Sequence, residues 1–222
     1  MAVGNGSGYH RGMPTSVFLI ITATLVFALA HSLLATQACK QKIYARGLSP
    51  QHYRLLYVIV AILLTGLWLA YIYSLPDRLL YRFSGNVRAG AIIIQGLALF
   101  LLWQSLRPID VPAFLGLRPF ADNIEPFIER GIYRHIRHPM YSSVLLLLAA
   151  APEQSYNSVT LLAAVAAYFF IGARFEERRL LHDHPAYADY RRRVPAFIPF
   201  PGSHRQCRQA KIRRGSGAPG DP

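Results

Sequence analysis

Acidic residues are scarce in this chain: 11 Asp and Glu stand against 24 Lys and Arg among 222 residues, a formal net charge of +13. Cysteine is scarcer still, present only as Cys39 and Cys207. Two thiols with no neighbouring ligand pattern exclude a disulfide scaffold and a cysteine-based zinc site. Charge is absent altogether from long stretches. Residues 17–34 (VFLIITATLVFALAHSLL) hold no Lys, Arg, Asp or Glu, and residues 55–75 and 89–106 repeat the pattern. Each has about the ~20 residues a helix needs to cross a bilayer. Polar stripes are also lacking, and a soluble helix normally has one. Two shorter apolar runs, 140–151 and 159–173, are separated by PEQSYN, which reads as a turn. The expected fold is therefore an all-α integral membrane protein with five transmembrane segments, the last two forming a helical hairpin, and a cytoplasmic amphipathic cap at the C-terminal end.

The charge that is present supports one topology. With five segments, one side of the membrane receives only Arg11, Arg78, Arg82 and Arg88, and every other Lys and Arg falls on the opposite side. Cytoplasmic loops collect such residues. This places the N-terminus outside and the C-terminus in the cytoplasm, in a bacterial inner membrane. Both cysteines then face a compartment that keeps thiols reduced, so no disulfide is expected. Positive charge of this size would suggest nucleic acid in a soluble protein. Here topology and anionic lipid headgroups account for it, and the expected partner is the bilayer, with no nucleic acid. The stretch ALAHS at 28–32 resembles a signal-cleavage site, but the positive charge follows the apolar run instead of preceding it.

Residues 1–15 are Gly-rich and polar, and 201–222 are basic with Gly and Pro throughout, so both ends are expected to be disordered around one membrane domain at 16–200. The long Pro-rich loop 107–139 leads into RHIRHPMYSS. Pro139 suits the first turn of a helix, with His138 at its cap. That helix end, with Arg137 and Arg134 beside it, offers positive potential to a carboxylate or phosphate. If the hairpin returns, Glu176 and Glu177 come back near Arg137 and His138. A plain reading makes these lipid-interface ion pairs. As a set, cations, acids and apolar walls suit a zwitterion. Leu180, Leu181, Tyr187 and Tyr190 outline one face of a surface helix that either anchors in lipid or closes the pocket. His135, His138, His182 and His184 form two loose pairs, short of the grouped histidines of a di-iron site, and no metal is expected. His31 is the single imidazole inside a spanning segment, a functional candidate or the partner of a neighbouring helix.

GIYRHIRHPMY, followed by EERRLL and by the tyrosines of YADYRRRVPAFIP, resembles the isoprenylcysteine carboxyl methyltransferase and phospholipid methyltransferase superfamily. HSLLAT, YRLLY and FLGLRP are similar to its NnrU-like branch, which includes bacterial methanethiol S-methyltransferases. The resemblance implies a membrane-embedded enzyme that uses S-adenosylmethionine. It implies donor contacts from Arg137, His138, Tyr141, Glu176 and Glu177, and a small or lipophilic thiol, carboxylate or amine as acceptor. His138 and Tyr141 are the candidates for deprotonating a thiol. Two positions depart from the family pattern: Ser143 stands where relatives often have glycine, and His184-Pro185 where they often have Phe-Gly. Other readings are an NADPH-dependent sterol-type reductase, which needs cations for phosphates where this chain has Glu176 and Glu177, and a non-enzymatic accessory protein of nitrogen-oxide metabolism.

Overall fold

The computed structural model describes residues 7–120 and 127–199, with side chains from Pro14 onward. The expected tail at 201–222, with Cys207, lies outside the described residues. So do residues 1–6 and 121–126. The chain is an all-α integral membrane protein with one small β-ribbon. Helix α1 (Ser7–Ala35) starts ahead of the expected boundary at residue 16. It is followed by α2 (Gln37–Tyr44), α3 (Pro50–Ser74), β1 (Leu79–Arg82), α4 (Gly85–Leu106), α5 (Val111–Phe114) and a 3-10 turn (Gly131–Arg134). Then come α6 (Pro139–Ala149), β2 (Glu153–Ser155), α7 (Tyr156–Asp183) and α8 (Tyr187–Arg193).

Four helices among the described residues are long and apolar enough to cross a membrane: Pro14–Ala35 of α1, α3, α4 and α7. Large apolar side chains such as Phe18, Leu67 and Ile93 point away from the bundle, as lipid requires and water would penalise. The fifth expected segment differs. Helix α6 has 11 residues, a rise of about 16 Å against a hydrocarbon layer of about 30 Å. Its last carbonyls would be orphans at that depth, and two glutamines reach them. Gln95 Nε2 of α4 donates to Leu147 O at 3.2 Å, and Gln154 Nε2 to Leu148 O at 2.8 Å. The expected turn after α6 contains a strand instead, because β2 pairs antiparallel with β1 (Tyr81 with Gln154, Arg82 with Glu153). Ser155 then caps α7 through a reciprocal bond with Ser158. Helix α7 rises about 42 Å, so its last turns project beyond the apolar layer.

Inside the bundle, Ile20, Ile72, Leu161 and Val165 pack α1, α3 and α7 together. His31 joins the same three helices: Nδ1 lies 3.0 Å from the Tyr168 hydroxyl and Nε2 2.9 Å from the Tyr57 hydroxyl. A neutral imidazole accepts from one phenol and donates to the other. Replacing His31 with alanine removes both bonds, and the expected loss is about 1–3 kcal/mol. Thermal unfolding in detergent checks this, and an unchanged melting temperature would refute it.

Candidate functional site

Pro139 opens α6 with its fixed φ, and His138 is the N-cap residue, held in a non-helical conformation. The backbone N–H groups of Arg137 and His138 donate to Pro195 O and Ala196 O, both at 2.9 Å. Ser142 Oγ reaches Phe197 O at 2.8 Å. The C-terminal stretch 195–197 is thereby laid along the start of α6.

Arg137 reaches across to α7. Its Nε donates to Glu177 Oε1 at 2.8 Å and its Nη2 lies 2.7 Å from the same oxygen. Its Nη1 donates to Arg191 O and Val194 O at 2.8 and 2.6 Å. Glu177 also takes His138 Nε2 at 3.0 Å and Arg191 Nε at 3.2 Å. A carboxylate only accepts, so His138 must carry its proton on Nε2. This makes Glu177 the centre of a clasp with Arg137, His138 and Arg191 around it.

Glu176 has a different setting. It accepts from the Tyr141 hydroxyl at 3.1 Å, and His138 Nδ1 stands 3.7 Å away. Its side chain is 38% exposed where that of Glu177 is 9% exposed, so Glu176 alone can meet a ligand. The His138 ring is stacked between Tyr141 and Phe197, each at 5.4 Å, and Tyr141 stacks in turn on Phe169 at 4.5 Å.

The cap differs from the expected single helix. Leu180 and Leu181 belong to α7, and His184-Pro185 separates them from α8, since proline disfavours helix at the residue before it. Tyr187, Tyr190 and Val194 still bury against Leu180, Leu181 and Phe127. The Tyr190 hydroxyl donates to Tyr133 O at 2.7 Å, tying the cap to the 3-10 turn.

Between this wall and the N-terminal helices lies a cavity of 610 Å³, within the ~300–1,000 Å³ of small-molecule sites. Arg137, His138, Met140 and Glu176 line one side, and Lys40, Tyr44 and Arg54 of α2 and α3 line another. Phe114, Phe120, Phe127, Tyr133, Tyr187 and Tyr190 supply aromatic surface. Burial, and next to it the charge of Glu176, pushes the Tyr133 phenol up to about 12. Burial likewise raises Tyr187 and Tyr190. All three stay neutral at physiological pH. Asp110 is held below the usual carboxylate range by its bond to Arg118, and it stays ionised.

The structure thus brings all five sequence candidates together, but only Arg137, His138 and Glu176 line the cavity, while Tyr141 and Glu177 stand behind it. His182 pairs with Asp183 on the surface, and no group of three or more His, Cys, Asp or Glu among the described residues is arranged to hold a metal ion. Sequence reasoning missed Tyr133, Phe197, Lys40 and Arg54. The last two read there only as charges that orient the chain. A second groove of 380 Å³ between α1 and α3 is lined by Phe27, Trp68, Tyr71, Thr22 and aliphatic side chains and carries no charge.

Comparison with known proteins bears on this site. A family model described as NnrU protein matches residues 19–199. Methanethiol S-methyltransferase 2 of Bradyrhizobium diazoefficiens is 29% identical over 94% of this chain and 84% of its own length. Methanethiol S-methyltransferase of Mycobacterium tuberculosis is also 29% identical, over 81% of this chain and 76% of its own. The Pseudomonas deceptionensis enzyme of the same name is 23% identical over 87% and 76%. No solved structure matches the chain.

Proposed function

This chain belongs to the NnrU protein family, and on that premise we propose that it is a membrane-embedded, S-adenosylmethionine-dependent methyltransferase acting on a small thiol. The carrying observation is the cavity at one end of the bundle, where the accessible carboxylate of Glu176 faces cations across aromatic walls. The relatives named methanethiol S-methyltransferases support the reaction and the thiol class of acceptor.

The residues suit such a donor. Glu176 can accept from an amine or a ribose diol, neutral tyrosines and phenylalanines can flank an adenine, and cations for a carboxylate line the same space. Bound there, the donor would supply an electrophilic methyl on a sulfonium. The protein's part is alignment and exclusion of water, which carry most of an in-line displacement that disperses charge. The Glu177 clasp serves that part by holding residues 191–197 over the start of α6. His138 spends its Nε2 proton on Glu177 and Tyr141 spends its hydroxyl on Glu176, so both orient carboxylates, and of the two only His138, which lines the cavity and keeps a lone pair on Nδ1, is left able to accept a thiol proton. Glu176 would repel the phosphates of NADPH, which argues against the reductase reading.

The cavity's lining comes from loops and helix ends: Gln37 to Arg54, Ile109 to Phe120, Phe127 to Met140, and Glu176 to Tyr190. That placement favours a small acceptor over a prenyl or acyl lipid, whose tail would need a channel at bilayer depth. The distribution of Lys and Arg supports a cytoplasmic position for this end and an outside one for the β-ribbon end, and the pairing of β2 with β1 supports a hairpin of α6 and residues 150–155 against α7. The test is labelled-methyl transfer in membranes that contain the protein, offering methanethiol, a prenylcysteine analogue and phospholipid in parallel. Thiol-dependent labelling is expected. No labelling, with no S-adenosylmethionine binding to folded protein by calorimetry, would reject the reading.

A further inference from the structure

We propose that Arg54, with Lys40, holds the α-carboxylate of the methyl donor, so that the donor site is built from both halves of the chain and not from α6, α7 and the cap alone. The inference rests on the donor reading above and names the group that reading leaves unassigned.

The nearest obvious cation, Arg137, is already committed. A guanidinium has five N–H donors, and Nε, Nη2 and Nη1 of Arg137 are engaged by Glu177, Arg191 O and Val194 O. The backbone N–H groups of Arg137 and His138, just ahead of α6, are spent as well, on Pro195 O and Ala196 O. Arg179 also lines the cavity there, but it stands on α7 between Glu176 and Asp183 and its charge acts on Asp183, so a carboxylate entering on that side meets cations already set beside acids.

Arg54 and Lys40 line the cavity, each half-buried. The Arg54 guanidinium lies over the Phe120 ring, its central carbon 4.2 Å from the ring centroid. Stacking fixes the plane of the group and leaves its N–H edge to meet a planar carboxylate in a paired, charge-assisted geometry. Among the described residues, the acid on this side, Asp110, is already engaged: Arg118 Nη2 donates to it at 2.8 Å, and it caps α5 by accepting from Ala113 N. The cavity therefore has a cationic side at α2 and α3 and an anionic group at Glu176. Seating the carboxylate at Arg54 leaves Glu176 to the donor's amine or diol.

The experiment compares S-adenosylmethionine with its decarboxylated form, binding each to the full-length protein in detergent by calorimetry. The wild type is expected to favour the intact donor at least tenfold. Arg54→Gln should erase that preference by weakening the intact donor alone, Lys40→Gln should reduce it, and Arg54→Lys should keep part of it. Scanning fluorimetry on each variant separates lost folding from lost selectivity, and Lys40→Gln, a change on the short helix α2, serves if Arg54→Gln is unstable. Equal binding of the two forms by the wild type overturns the inference. So does a preference that survives both neutral substitutions, and either result leaves the donor reading standing. A folded wild type that binds neither form overturns the donor reading itself.

Discussion

Replacing Glu177 with alanine is expected to destabilise the protein by about 3–5 kcal/mol, because it leaves a buried guanidinium without its counter-charge. Arg137 and Glu177 expose only 11% and 9% of their side chains, so water cannot take over. The same change frees His138 Nε2 and Arg191 Nε. Residues 191–197 should then loosen, since Arg137 grips the carbonyls of Arg191 and Val194. Trypsin should cut at Arg191, Arg192 and Arg193 faster in the variant, and scanning fluorimetry should show earlier unfolding. Glu177→Gln keeps the shape and one accepting oxygen and should fall between. The double variant Arg137→Ala with Glu177→Ala should lose less than the sum of the two single losses, because the second removal abolishes the charge that the first one strands. Glu176→Gln, at a partly exposed carboxylate, should leave proteolysis unchanged and weaken donor binding. If Glu176 and Glu177 variants behave alike in both measurements, the division between clasp and ligand group is wrong.

That division could not be read from adjacent letters. Glu176 and Glu177 differ by about 100° around α7, and which one faces the cavity depends on how α7 sits against α6. The spanning helices were legible because their signal is contiguous: three runs free of charged residues, plus α7 with its charges gathered at its last turns. The start of α6 was legible for a local reason, Pro139 next to an apolar run. Its early end was not, since nothing in VLLLLAAA breaks a helix, and the groups that satisfy its last carbonyls come from Gln95 on α4 and Gln154 beyond the chain reversal. The ribbon of β1 and β2 was hidden because LLYR and EQS are too short for alternation to show. Half the cavity escaped notice for a different reason: Lys40 and Arg54 already had an explanation, as charges on the cytoplasmic side, and that explanation does not compete with lining a site.

Gly116→Ala should be the most damaging of the glycine-to-alanine changes among the described residues. Gly116 has φ +79, a conformation that costs an L-residue about 1–2 kcal/mol. A Cβ there would overlap Leu55 N, and would lie 2.9 Å from Leu55 Cα and 3.0 Å from the Arg54 carbonyl carbon. Backbone of a helix cannot move aside as a flexible side chain does, so the segment carrying Gly116 must lift away, adding about 1–3 kcal/mol of overpacking. Two further contacts depend on that approach. Gln51 Nε2 donates to Leu117 O at 3.2 Å, and Phe120 underlies Arg54. Lifting the segment withdraws the ring that fixes the Arg54 guanidinium, so donor binding should weaken more than tenfold along with the loss of stability. Gly47→Ala is the control: φ is +92, but nothing lies within 4 Å of the added carbon. It should show the conformational cost alone and leave donor affinity unchanged, so equal effects of the two variants would mean that the close approach of Gly116 to α3 does not hold the cationic side of the cavity in place.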